Sequence, residues 1–440
     1  MSRLSYTNRL KFVLAASGTH GDVNPYLGVA IELKARGHNV TVATCASYRA
    51  KVEAEGVRFH AVRPDLADLM KSPETAARGN DLQSGTEYIL KELVLPKSRE
   101  TYDDLLEACE GADLFITHQV LFPSPLVAER LKIPWISVIL SPGIFLSAYD
   151  PPLLPPIAWF HGLRKLGPAP HRLLRVWIDR VTRKWMLPID ELRREVRLPP
   201  STKNPVRDGM LSPFGTLGWF SPVLGEPQPD WPANTQVTGF VFFDKTAPAA
   251  SDSALREFLD AGAAPVVFTL GTSAVTVARD FYRTSLEAVR KSGLRAVLLT
   301  GADPRNQIPP EELGDSVFAA EYASYSDLFP RAAAVVHSGG IGTIAQTLRA
   351  GVPSIVVPHS ADQPDNAQRL ARTGAGLTIR SRDYTATRAA AMLDEILKDP
   401  RYAVRAREIG ARIRGEDGLT KACDALERHA RSNESWSDRP

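Results

Sequence analysis

The sequence predicts an α/β protein made of two Rossmann-like parallel-sheet domains that face each other across a cleft. Three observations carry this. Short apolar runs of strand length recur along the chain. Helix-patterned stretches separate them. The alternation breaks once, in a Pro-rich region, and then resumes. Apolar strands separated by helices imply parallel sheets with helices on both faces. A chain of 440 residues has room for two or three domains.

In chain order, residues 10–16 (LKFVLAA) read as the first strand, and a glycine-containing loop, SGTHGD, follows. Asn24 can cap a helix with Pro25 at its first position, and Gly37 can close that helix. Residues 39–45 (NVTVATC) are rich in β-branched side chains and read as the next strand, with two more at 112–117 and 135–140. The stretch 150–235 is Pro-rich and carries a helix pattern over 172–187. Leu173, Leu174, Val176, Trp177, Val181 and Trp185 form its apolar face, surrounded by Arg172, Arg175, Arg180, Arg183 and Lys184. The plainer reading, which we favour, is a helix packed on the body with a solvated basic face. The sharper one is a wall of an acceptor site or a weak peripheral membrane contact.

The second α/β unit begins near 253, with strands at 265–270, 295–300, 333–337 and 353–357 and helices at 280–293 and 343–351. Helical patterns resume from 386 to about 430. The domain plan is therefore 1–235, a linker at 236–252, 253–430, and a tail at 431–440.

Composition excludes several functions. With 53 Lys+Arg against 50 Asp+Glu the formal charge is +3, which gives no global field for nucleic acid. A hydrophobic content of 44% argues against disorder as the main state. Cys45, Cys109 and Cys423 are isolated thiols, which suits a reducing compartment. The longest apolar stretch, 133–148, is broken by Pro134, Pro142 and Gly143, so no membrane span is expected. The N-terminus lacks a signal-peptide pattern, and the expected location is cytoplasmic, with membrane association limited to that weak contact.

Familiar nucleotide motifs are missing. No lysine follows a glycine, so there is no Walker A loop, and SGTHGDVNP is not G-x-G-x-x-G. There is no D-x-D pair and no cluster with metal-ligand spacing, so no metal is expected. What remains is HSGGIGT, residues 337–343, between a strand and a helix. Gly339, Gly340 and Gly342 let backbone approach a ligand, and free N–H groups at a helix start attract anions. The hydroxyls of Ser338 and Thr343 can donate to phosphate oxygens. For this motif alone, a glycine-rich turn with no ligand is an equal alternative. Its surroundings favour the ligand. Tyr322 stands upstream as a stacking surface for a base, and Asp362 and Gln363 stand downstream, suited to sugar hydroxyls.

The stretch from Tyr322 to Asn366 resembles the donor box of glycosyltransferase family 1, the GT-B enzymes that use nucleotide-diphosphate sugars. GDVNP at 21–25, DWP at 230–232 and TGF at 238–240 look most like the bacterial branch that contains the rhamnosyltransferase of rhamnolipid synthesis. The resemblance implies that Tyr322 stacks on uracil or thymine and that Ala323 offers backbone groups to the base edge. It puts the diphosphate at Gly340, Gly342 and Thr343, faced by Thr272 and Ser273. It puts Asp362 and Gln363 on the donor sugar. The family's histidine before the two glycines is Ser338 here, with His337 one residue earlier; strand alternation favours Ser338 for the phosphate contact.

The resemblance also implies a base in the first loop. Asp22 occupies the position three residues before Pro25, and His20 is its rival, with an unperturbed pKa better suited to the task. The plainer reading of Asp22 is a carboxylate at a helix N-terminus. His118 either lines the same cleft as an acceptor contact or is a packed histidine. The implied activity is metal-independent, inverting transfer of a sugar from a UDP- or dTDP-sugar, as co-substrate with no other cofactor, to a hydroxyl of a lipophilic small molecule. A nucleotide-sugar 2-epimerase of the same architecture, or a non-catalytic nucleotide-sugar- or lipid-binding partner protein, is the alternative.

Overall fold

A computed structural model describes residues 9–244 and 252–432. Two parallel sheets organise it. The first holds β1 (Lys11–Ala15), β2 (Asn39–Thr44), β3 (Arg58–Ala61), β4 (Leu114–His118), β5 (Trp135–Ile139), β6 (Thr216–Gly218) and β7 (Thr235–Val237), in the order β3-β2-β1-β4-β5-β6-β7. The second holds β8 (Val266–Thr269), β9 (Ala296–Leu299), β10 (Val317–Ala320), β11 (Ala334–His337), β12 (Ser354–Val356) and β13 (Gly376–Thr378), in the order β10-β9-β8-β11-β12-β13. All neighbouring pairs are parallel. This is the expected pair of Rossmann-like domains.

Each sheet starts near its middle and grows outward on one side. The chain then returns across its first strand and grows the other way. The reversal lies between β1 and β4 in the first sheet and between β8 and β11 in the second. At such a point successive connections leave to opposite faces, and the loops at the strands' carboxyl ends part to open a crevice.

Each sheet is buried on both faces: the first by Phe12, Leu14 and Ile116 on one and Val13 and Phe115 on the other, the second by Phe268, Leu298 and Val336 on one and Val267, Val297 and Val335 on the other. A third apolar cluster crosses between the domains. Ile139, Phe145, Phe220 and Trp231 meet Ile344, Leu348 and Leu370 there, with Phe145 stacked on Trp231. Beside it sits a buried ionic clamp. The Arg369 guanidinium donates to Asp365 at 2.7 Å and to Asp150, and Arg372 donates to the other oxygen of Asp150 at 2.9 Å. Asp365 also accepts from the Leu153 backbone N–H at 2.9 Å, so the clamp ties the 150s to the second domain.

Three expectations need correction. The first helix is His20–Ala35, capped by Thr19 and not by Asn24. Thr19 and Asp22 form a capping box, which satisfies the first N–H groups five residues earlier than a cap at Asn24 would, and Pro25 is carried inside the helix. The domain limits also shift. β7 runs to Val237, past the expected boundary at 235. The last helix, Gly418–Arg431, packs on the first core through Ala422, Cys423, Ala425 and Leu426, not on the second. Its Asp424 accepts from Arg36 at 2.6 Å, and its Glu427 lies 2.9 Å from His38. Third, the Ala169–Trp185 helix spans the expected stretch but does not bury the expected face: Leu173, Val176 and Trp177 are exposed. The three thiols are buried and unpaired. Among the described residues no helix is long and apolar enough to cross a membrane.

Arg369→Ala would leave Asp365 and Asp150 facing each other without their buried cation. Removing one partner of such a group costs about 3–5 kcal/mol. The expected result is an earlier denaturant-unfolding midpoint; a midpoint equal to that of the unaltered protein would show that the clamp is dispensable.

Candidate active site

The crevice of the second sheet lies between the loops after β8 and β11. Gly339 turns the chain out of β11 with φ at +93°, and a Cβ there would sit 2.7 Å from Val356 and 3.2 Å from the Gln363 carbonyl. Only glycine fits that turn without displacement. Gly340 and Gly342 differ, because a Cβ at either would meet nothing within 4 Å. Protein packing does not demand glycine at these two positions; their openness leaves the backbone accessible from the crevice. The Ile341–Ala350 helix starts there, with Gly340 at its cap and no side chain on its first N–H groups. Those donors and the helix dipole face the crevice.

The two residues at the histidine position are both turned inward. The Ser338 hydroxyl is buried and donates to the Leu270 carbonyl at 2.9 Å. That uses its one proton on the protein, so the expected donation to phosphate is not available in this geometry. His337 is buried at the end of β11, its Nδ1 accepting from the Gly339 N–H at 3.1 Å. Burial pushes its pKa down to about 3, so the ring is neutral. The turn and helix start therefore present backbone N–H groups and Thr343, and neither Ser338 nor His337 adds a charge to them. Thr343 is buried opposite Gly271, and the Tyr325 hydroxyl lies 2.8 Å from that of Thr269. Thr272 is exposed on the facing loop, next to half-buried Ser273.

Tyr322 follows β10 with its ring 64% exposed, and Ala323 is buried beneath it. An exposed ring beside a buried backbone anchor is suited to stacking. Gln363 is buried and already engaged. Its Oε1 accepts from the His359 and Ser360 N–H groups at 2.8 and 3.0 Å, and its Nε2 reaches Ser273 at 3.5 Å. It holds the loop after β12 to the loop after β8. Asp362 is half-buried, follows Ala361 at φ +47°, and accepts from Asn366 at 2.7 Å. Burial raises its pKa to about 6, and the charge of Asp22 adds to the rise although the Asn366 hydrogen bond opposes it. The charge of Asp22 thus acts on Asp362 from the other domain.

Asp22 stands at the first sheet's crevice. Its Oδ2 accepts from the Thr19 N–H at 2.7 Å and from the Thr19 hydroxyl at 3.0 Å, the capping role of the plainer reading. Gly18, at φ +130°, makes room for that oxygen, since a Cβ there would lie 2.4 Å away. Its Oδ1 is turned to His118, whose Nε2 is 3.7 Å away. His118 ends β4, directly beside β1, and lies buried with no hydrogen bond to either ring nitrogen. Burial lowers its pKa, against the pull of Asp22. It sits under Asp22, not in the open cleft. His20 packs edge-on to Tyr48, with its Nδ1 3.2 Å from the Lys51 ammonium. Partial burial, then Lys51, pushes its pKa down to about 4, which removes the advantage an ordinary histidine has as a base.

Asn366 was not among the expected site residues, yet it joins three parts of the site. It donates to Asp362 and, at 3.3 Å, to the Gly339 carbonyl, and it accepts from Ser141 of the first domain at 2.7 Å. Its spacing of four from Asp362, one helical turn, was the available signal. Tyr325 carried none. Among the described residues no group of three or more His, Cys, Asp or Glu is placed to hold a metal.

Comparison with known proteins agrees with this fold. Residues 12–142 match the glycosyltransferase family 28 N-terminal domain, and residues 296–420 match the C-terminal domain of erythromycin biosynthesis protein CIII-like proteins. The chain is 33% identical over 435 residues to O-mycaminosyltylonolide 6-deoxyallosyltransferase of Streptomyces fradiae, covering 96% of this chain and 98% of that protein. It is 31% identical to a sterol 3-beta-glucosyltransferase of Cryptococcus neoformans, covering 95% of this chain but only 27% of that much longer protein. Among solved structures, the glycosyltransferase VinC in complex with dTDP shares the fold at a TM-score of 0.68, with 20% identity over 96% of this chain and 99% of that one. The spinosyn forosaminyltransferase SpnP does so at 0.69, with 18% identity over 96% and 99%. The narrower likeness to the rhamnolipid branch does not follow from these matches, and the N-terminal domain matches family 28 where family 1 was expected. The chain belongs to the GT-B glycosyltransferases that join a family 28 N-terminal domain to an erythromycin biosynthesis CIII-like C-terminal domain.

Proposed function

We propose that this glycosyltransferase moves a sugar from a nucleotide-diphosphate donor, a UDP- or dTDP-sugar, to a hydroxyl of a lipophilic small molecule, with inversion at the anomeric carbon. The observation that carries the reading is the meeting of the two crevices, where Ser141 of the first domain donates to Asn366, the hydrogen-bond partner of Asp362. One crevice supplies a proton acceptor. The other supplies a sugar clamp and, behind it, an anion site. An acceptor oxygen held by Asp22 would attack the anomeric carbon from the face opposite the diphosphate, and the Ile341–Ala350 helix start would take the leaving group's charge. The names of the deoxyallosyl and sterol glucosyl relatives support a lipophilic acceptor. A 2-epimerase or a non-catalytic binding partner is not favoured by these matches.

The direct test incubates the protein with a panel of nucleotide sugars and hydroxylated lipophiles, with and without chelator, and reads masses. Added sugar mass that survives chelation is the expected outcome. An isomerised donor, bound donor with no product, or a loss of activity reversed by metal would each overturn part of the reading.

For the base, Asp22→Asn should lower kcat by about 10²–10⁴-fold, the usual span for general acid–base catalysis. The loss should be larger with an aliphatic alcohol than with a phenol, because a phenol ionises with less help. His20→Ala should be milder, since its lowered pKa and Lys51 contact suit it poorly to accept the proton. Steady-state kinetics on both acceptors decides; near-full activity of the Asp22→Asn variant would reduce Asp22 to its cap.

Donor binding should depend on pH through Asp362. With a pKa of about 6, its carboxylate is charged and accepts fully from sugar hydroxyls only above that pH. Donor affinity by calorimetry should therefore rise between roughly pH 5 and pH 7, since binding favours the deprotonated form. Asp22→Asn removes a like charge and should move the midpoint to lower pH, while Asp362→Asn should flatten the curve. A midpoint unmoved by Asp22→Asn would mean that the two groups do not share the cleft.

A further inference from the structure

Large apolar side chains are unevenly distributed on the surface. Ten are exposed among the described residues, and seven of these fall between 149 and 187. Trp159, Leu166 and Leu173 are more than 70% exposed, and Trp177 is 53% exposed. They lie on two elements packed together, the Pro155–Leu166 segment and the Ala169–Trp185 helix, joined where Phe160 meets His171 edge-on at 5.3 Å. On the helix, Leu173, Val176, Trp177, Arg180 and Lys184 recur at three- and four-residue spacing, so one outward stripe begins apolar and ends basic.

Charge follows the same concentration. Residues 151–189 contain seven Lys or Arg and a single acidic residue, Asp179, in a chain whose whole net charge is +3. Asp179 is engaged by Arg207 at 2.7 Å, and Arg175 by Asp230 at 2.5 Å. Lys165, Arg180 and Lys184 have no ion-pair partner among the described residues. Exposed tryptophan and leucine set among unpaired cations suit a surface that is apolar just beneath a layer of negative charge. A second copy of this chain would bring the same positive charge against itself.

We propose that the 155–187 surface docks on an anionic lipid bilayer, with Trp159, Leu166, Leu173 and Trp177 entering the headgroup boundary and Lys165, Arg180 and Lys184 meeting the lipid phosphates. The placement has a consequence for the cleft. The chain leading into this surface is tied to the helix that follows Asp362, through the Leu153 N–H on Asp365 at 2.9 Å. A docked enzyme holds its cleft near the membrane, where lipophilic molecules partition.

Vesicle co-sedimentation of the full chain tests this with neither donor nor acceptor present, so its outcome is separate from that of the transfer assay. Binding is expected to phosphatidylglycerol-containing vesicles, to be much weaker to pure phosphatidylcholine, and to fade with added salt. Trp159→Ser with Trp177→Ser, and separately Lys165→Ser with Arg180→Ser and Lys184→Ser, should each lower the partition coefficient about tenfold or more. All five positions are exposed, and an unchanged thermal midpoint would confirm that the variants fold. No binding to the anionic vesicles, or binding that both variants retain, overturns the proposal. So does sedimentation velocity showing a dimer that the tryptophan variant dissolves, which would assign the surface to a second copy.

Discussion

Where two adjacent parallel strands send their connections to opposite faces of the sheet, the loops at their carboxyl ends must separate. This constraint acts twice here, between β1 and β4 and between β8 and β11, and every group in the candidate site depends on it. It brings Asp22 and His118 together although they are far apart in sequence. It sets the turn after β11 opposite the loop after β8, so that Thr343 faces Gly271. The interdomain apolar cluster and the Arg369 clamp then fix the two crevices against each other. Neither crevice alone contains a reaction. One has a carboxylate, and the other has an uncapped helix start whose nearest histidine is neutral and enclosed.

That division explains the electrostatics. In the proposed transfer the site would gain from donors that exist before the leaving group's charge develops and need no reorganisation. Backbone N–H groups at a helix start meet this need, and they cannot titrate. The site carboxylate whose ionisation is shifted toward the neutral range is Asp362, on the sugar side, where burial and Asp22 act together against the Asn366 hydrogen bond. Asn366 in turn answers to Ser141 of the other domain, so the setting of the clamp carboxylate is coupled to how the domains meet.

The sequence was legible where strands are buried on both faces. β1, β2, β4, β5, β8, β9, β11 and β12 are all interior strands with apolar runs. Those it did not reveal are β3, β7, β10 and β13, which are sheet edges, and β6, which has three residues and ends in glycine. Edge strands are half-solvated, so RFHA or TQV carries no continuous apolar signal. The glycine turn was readable as the link between β11 and the helix that follows it, because its signal is local. The roles of Ser338 and Gln363 were not, because each directs hydrogen bonds to partners some seventy to ninety residues away. The Ala169–Trp185 helix shows a further limit. Periodicity reveals that a helix has an apolar face, but says nothing about whether the rest of the chain covers it.

Asp22 joins the two readings that seemed to compete. A carboxylate in a capping box satisfies backbone donors, and this alone would explain its presence. Yet the cap occupies only Oδ2, and two hydrogen bonds to Thr19 fix the side chain's rotamer. A fixed rotamer leaves Oδ1 free of the cap and aimed in one direction, toward His118. Gly18 makes this possible by leaving the space that any side chain would take from Oδ2. A base that is held in place by one oxygen and accepts a proton on the other loses little conformational entropy when the acceptor arrives. In the proposed reaction capping is then the means by which the carboxylate is positioned: Gly18 leaves room, Thr19 sets the orientation and Asp22 would take the proton.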